Sequence, residues 1–136
     1  MIIVDDRLCI EALARRPVPT SMPDETVATT WGFHFRLLRA LADARLTGSL
    51  SRATSADVRA AAVEPPPATL VVLDPRRSTA MAATVAAAHG LNLLAAELLA
   101  AAKVHDARVV VAAGNLGRHW STAFAAEHVD LQAVSF

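Results

Sequence analysis

Between Leu70 and Val134 the chain alternates short apolar runs with longer helix-forming segments, and this alternation limits the fold more than any other feature. Leu70–Asp74 (LVVLD) is a β-branched run. An Ala-rich segment follows from about Ser78 to Val104, punctuated by Gly90. Val109–Ala113 (VVVAA) is a second buried run, and a glycine-containing loop with a short helix around Ser121–Glu127 leads into a third, Val129–Val134. Strands separated by helices need crossover connections, which produce a mainly parallel sheet with helices on both faces. With Met1–Val4 added, the expectation is an α/β domain of three layers around a central, mainly parallel sheet of four to five strands. Ligands of such sheets sit beyond the carboxyl ends of the strands. Chemistry is therefore expected at Asp5–Asp6, Asp74–Ser78 and Ala112–Trp120.

A chain of 136 residues suits a single domain, 1–136. Hydrophobic residues make up 54% and charged residues 19%, against about 45–50% and about 25% in ordinary domains. The excess is largely alanine, which predicts closely packed helices. Net charge is zero, so no global argument favours a polyanion or an anionic membrane, while a local basic patch stays open. The single cysteine, Cys9, excludes an internal disulfide framework, fits a reducing compartment and reads as a small buried hydrophobe. Asp5, Asp6 and Arg7 stand where a signal peptide would need apolar residues. His89, Gly90, Asn92 and Glu97 interrupt the Ala-rich run, so no membrane span is expected. The expectation is a cytoplasmic protein without a membrane partner.

In chain order, Met1–Val4 reads as a strand and Arg7–Arg15 as a helix capped by Asp6 and ended by Pro17 and Pro19. Ser21–Asp24 has capping-box form, predicting helical structure to about Arg45 that breaks near Thr29–Thr30 into two helices. Trp31, Phe35, Leu38 and Leu41–Ala42 recur at helical spacing and should face the core, with Phe33 and Leu37 widening the stripe. Thr47–Ser51 is a turn around Gly48. Ser55 caps a short helix through Ala62, Pro65–Pro67 is a stiff connector, Gly90 divides the Ala-rich run, and Asn92 caps its second half.

Asp5 and Asp6 close the first strand and are the best candidates for a divalent-metal site, since hard cations want carboxylate oxygens. The bland alternative is a helix cap plus a solvated charge. Asp74–Ser78 carries Arg76 and Arg77 at a helix entry, a pattern suited to phosphate or simply to a solvated turn. Gly114–Trp120 is glycine-rich and basic. Its Trp120 would either stack on a base or sit half-buried at a helix entry. It lacks both the P-loop ending and the dinucleotide fingerprint. No histidine pair has zinc spacing, and His34 lies beside the apolar stripe.

Met1–Asp6 (MIIVDD), His89–Asn115 and Ala125–Val134 together resemble the PIN domain, the fold of VapC-type toxin endoribonucleases and related nucleases. The likeness covers nearly the whole chain. It rests on an apolar strand ending in Asp, on Gly90-Leu91-Asn92-Leu93 in place of the family's Gly-Leu-Ser-Leu helix start, and on the later strand–helix–strand. It implies Mg²⁺ or Mn²⁺ held by three or four carboxylates, a homodimer, and a small antitoxin-like partner. The first acid matches Asp5, with Asp6 beside it. The second falls near Gly32–Arg36, where only His34 and Arg36 are polar. The third falls at Ala95, two residues before Glu97. The fourth falls at Ala113, near Asn115. With one carboxylate of four at a matching position, the favoured reading is a degenerate, non-cleaving PIN-like module in a toxin–antitoxin-like setting. Its pocket of Asp5, His34, Arg36, Asn115, Arg118 and Trp120 would bind RNA, a nucleotide or a protein, with no cofactor. The alternative is a Mg²⁺-dependent endoribonuclease using Asp5, Asp6 and Glu97, with Asp5 on the metal. A third reading is a small α/β phosphate-binding protein using Arg76–Arg77 or the Gly114–Gly117 loop.

Overall fold

A computed structural model of the protein describes residues 1–43 and 55–135. Five strands form one sheet: β1 (Ile2–Val4), β2 (Val27–Thr29), β3 (Val71–Val72), β4 (Arg108–Ala112) and β5 (Leu131–Val134). Their order is β3-β2-β1-β4-β5 and every pairing is parallel. Six α-helices accompany them among the described residues: α1 (Asp6–Leu13), α2 (Trp31–Ala42), α3 (Ala56–Val63), α4 (Thr79–His89), α5 (Leu93–His105) and α6 (Trp120–Ala126). The α/β class and the parallel sheet are as the alternation required. None of these helices is long and apolar enough to cross a membrane.

The period-two geometry of a strand sends successive side chains to opposite faces, and the buried residues sort accordingly. Ile2, Val4 and Val110 join Leu8, Cys9 and Leu13 of α1 and Val58 and Ala62 of α3 in one apolar cluster. Ile3, Val109 and Val111 join Leu98 and Leu99 of α5 and Phe124 of α6 in the other. Close helix packing follows from alanine: Ala95, Ala96, Ala100, Ala101 and Ala102 of α5 are all buried. Gly90 ends α4 in the left-handed conformation (φ 63°), and the Leu91 amide closes the turn on the Ala86 carbonyl, a glycine C-cap that leaves Asn92 to cap α5 through the Ala95 amide. Ser55 caps α3 in the same way.

Two sequence expectations are corrected. The segment expected to begin a helix at Ser21–Asp24 instead forms a turn and then β2. Thr26, Val27, Thr29 and Thr30 supply the β-branched density that a strand favours, and the strand pairs with both β1 and β3. The helix then starts at Trp31, capped by the Thr30 hydroxyl on the Phe33 amide. The core-facing stripe of α2 is as expected only in part: Leu38 and Leu41 pack against the core, but its two aromatic members do not. Phe33 and Leu37 are buried, whereas Trp31 and Phe35 are 51% and 53% exposed and stack on each other at 5.6 Å between ring centroids. Residues two apart on a helix lie about 200° apart around its axis, so burial of Phe33 turns Trp31 and Phe35 outward. The turn expected at Thr47–Ser51, and the continuation of the α2 segment to Arg45, lie outside the described residues.

Candidate functional site

Strand order reverses at β1: the chain builds β2 and β3 on one side of it, and β4 and β5 on the other. The loops leaving β1 and β4 therefore diverge, and such a switch point opens a crevice at the carboxyl ends of parallel strands. A cleft of about 520 Å³ lies there, within the range of about 300–1,000 Å³ that takes small molecules. Asp6, Arg7, Arg36, Asn115 and Ser135 form its polar part, and Ile10, Leu37 and Val134 are among its apolar walls.

Asp5 lies beneath this cleft and is completely buried. Its Oδ1 accepts from the Leu8 amide at 2.9 Å, which makes Asp5, and not the expected Asp6, the N-cap of α1. Its Oδ2 accepts from the Ala112 amide at 2.7 Å and from Asn115 Nδ2 at 2.8 Å. One carboxylate thus starts a helix and ties the end of β1 to the end of β4. Three donors on one buried carboxylate offset the cost of removing it from water.

Asp6 faces the cleft. Its Oδ1 accepts from Asn115 Nδ2 at 3.0 Å and from the Arg7 amide at 3.0 Å, and its Oδ2 lies 3.1 Å from Arg36 Nε in an ion pair. Arg36 Nη2 donates to Asn115 Oδ1 at 3.1 Å. Asn115 is the keystone: its amino group serves both carboxylates and its carbonyl serves the guanidinium. The reversed amide would set oxygen against carboxylate oxygen, so the network itself fixes the orientation. Burial pushes the Asp6 carboxyl above the ordinary aspartate value, Arg36 and Asn115 pull it back, and the neighbouring Asp5 charge adds to the rise.

The other candidate residues fall elsewhere. Glu97 is buried on α5 and accepts from the Gly32 amide at 2.7 Å, satisfying an N–H in the first turn of α2 that the helix cannot pair itself. A Cβ on Gly32 would stand 2.9 Å from that carboxylate oxygen, so the glycine permits the approach. His34 donates through Nε2 to the Ala62 carbonyl at 2.7 Å and links α2 to α3; it is not part of the cleft lining. Trp120 is buried, stacked on Phe124 at 6.4 Å, with its indole edge against Gly117. That burial takes its faces away from any base. Arg118 is exposed on the loop before α6. At the other loop, Arg76 folds back on Asp74 with Nη2 2.6 Å from Oδ2, and Asp74 caps the turn through the Arg76 amide.

A divalent cation does not fit this arrangement. Mg²⁺ demands several free oxygen ligands in octahedral geometry. Both oxygens of Asp5 are taken by N–H donors, Asp6 is neutralised by Arg36, and Glu97 caps α2. Among the described residues no group of three or more His, Cys, Asp or Glu side chains is placed to hold a metal ion. What the site offers chemically is a cation of its own, Arg36, held in place by an acid and an amide.

The role of Asn115 as a donor was not legible beforehand, because its proximity to both acids depends on β4 pairing with β1. No family model matches the chain, and no curated protein matches it.

Proposed function

We propose that the chain is a PIN-like module that binds a ligand at its strand-end cleft and does not cleave it. The observation that carries this reading is the engagement of the acid pair: every Asp5 oxygen is spent on structure, and Asp6 is matched to Arg36. The parallel sheet centred on β1, with Asp5 at its carboxyl end, agrees with the architecture that the family resemblance implies. With Asp5 buried on three N–H donors and Asp6 paired with Arg36, the acids lack the cluster of free oxygens that would hold a hard cation and activate water against a phosphodiester. RNA, a nucleotide or a protein segment fits this reading, and a toxin–antitoxin-like regulatory setting belongs to it. The half-exposed Trp31–Phe35 stack is the apolar surface that a homodimer or a small antitoxin-like partner would cover.

The test is incubation of the purified chain with single-stranded RNA in Mg²⁺ and in Mn²⁺. The expected result is intact RNA in both. Metal-dependent cleavage that disappears in Asp6→Asn overturns the proposal and restores the nuclease reading.

A further inference from the structure

The donor inventory of Arg36 narrows the ligand. A guanidinium carries five N–H donors. Its Nε faces Asp6, and Nη2 donates to Asn115. Among the described residues no hydrogen bond or ion pair engages Nη1. The side chain is 46% exposed and lines the cleft, with its charged carbon 6.0 Å above the Phe33 ring. Asp6, Asn115 and Phe33 thus hold the guanidinium in one pose and leave its Nη1 donors to whatever enters. A guanidinium fixed in this way loses little freedom when it takes a carboxylate or phosphate.

Arg7, which pairs with Glu11, and Ser135 also line the cleft, and the remainder of the wall is apolar. Ile10 and Leu37 are buried, and Val134 is half-buried. We propose that the cleft takes a small amphipathic anion, its carboxylate or phosphate-ester head on Arg36 Nη1 and its short apolar body against Ile10, Leu37 and Val134. This proposal rests on the non-cleaving reading above and specifies its ligand. A polyanion is disfavoured because Asp6 already pairs with the same guanidinium and the chain carries no net charge to attract one. A cation is disfavoured because the acid oxygens already have partners.

Calorimetric titration at constant ionic strength with hexanoate, hexyl phosphate, hexanol and hexylamine tests this. Hexanoate or hexyl phosphate should bind saturably at one site, about tenfold or more tighter than hexanol and hexylamine, since a charge-assisted hydrogen bond discriminates by that much. The ratio between the two anions identifies the head group. Arg36→Gln should lose about tenfold or more for the anion. Val134→Asp, which leaves Arg36 untouched, should weaken the anion as well, and thermal melts confirm that both variants are folded. Equal binding of hexanoate and hexanol, or undiminished binding by folded Arg36→Gln, overturns the proposal. Binding of a short oligoribonucleotide without any of the small anions overturns it too but leaves the non-cleaving module standing. Metal-dependent cleavage of that oligonucleotide removes the reading beneath it.

Discussion

Replacing Asp5 with alanine separates a structural carboxylate from a catalytic one. The change removes the N-cap of α1, which is worth about 1 kcal/mol. It strands the buried Ala112 amide, which donates to Asp5 Oδ2 at 2.7 Å, at a cost of about 1–3 kcal/mol. Asn115 keeps Asp6 as a partner, so its loss is partial. The total is about 2–4 kcal/mol, a large part of the roughly 5–15 kcal/mol that holds a domain together. With a urea m-value of about 1.5–2 kcal/mol/M, the unfolding midpoint should fall by about 2 M. Asp5→Asn should not rescue it, because an amide NH₂ then faces one of the N–H groups that the carboxylate accepted. Asp6→Asn should change stability by less than about 1 kcal/mol, since removing a charge that burial disfavours offsets the lost Arg36 pair. If Asp5→Ala unfolds within about 1 kcal/mol of the parent, Asp5 is not the structural link described above.

Other outcomes follow from single contacts. A Cβ on Gly117 would stand 2.3 Å from Trp120 Nε1, so Gly117→Ala must displace a buried indole and should cost about 1–3 kcal/mol by urea unfolding, with a red shift of Trp120 emission in a Trp31→Phe background. Lys103 and His89 hold the Glu127 carboxyl down to about 2; because its folded value is depressed, its stabilising contribution is complete above the ordinary glutamate range and fades as pH falls toward 2. Glu127→Gln should therefore flatten the acid limb of the stability–pH curve, and an unchanged limb would refute the linkage. Burial pushes the Cys9 thiol up, so a thiol reagent should leave the native chain unmodified at pH 8 and label it once urea unfolds it.

The strands β1, β3, β4 and β5 were legible because each is an apolar run bounded by polar or turn residues. So were the boundary of α4 and α5 and the caps at Ser55 and Asn92, because glycine and cap chemistry act within a few residues. Strand β2 was not, because a three-residue strand takes its stability from both neighbours in the sheet, and its β-branched residues were overridden by the capping-box form of Ser21–Asp24 just before them. The same omission rotated α2: without β2 and the Glu97–Gly32 bond to anchor its first turn, the aromatic spacing of Trp31 and Phe35 looked like a core stripe. At the site, the sequence located Asp5, Asp6, Arg36 and Asn115 but not what joins them. Long-range contacts across the β1–β4 switch point set whether a carboxylate ligates a cation, caps a helix or pairs with a guanidinium.

The most direct test of the account is Mn²⁺ binding measured by electron paramagnetic resonance on the purified chain. An acid pair closed by Arg36 and by backbone amides predicts a signal from free Mn²⁺ that is undiminished at equimolar metal and protein, in the parent and in Asp6→Asn alike. Stoichiometric loss of that signal in the parent, restored in Asp6→Asn, would show that the acids hold a cation and that the site is built for metal-dependent chemistry after all.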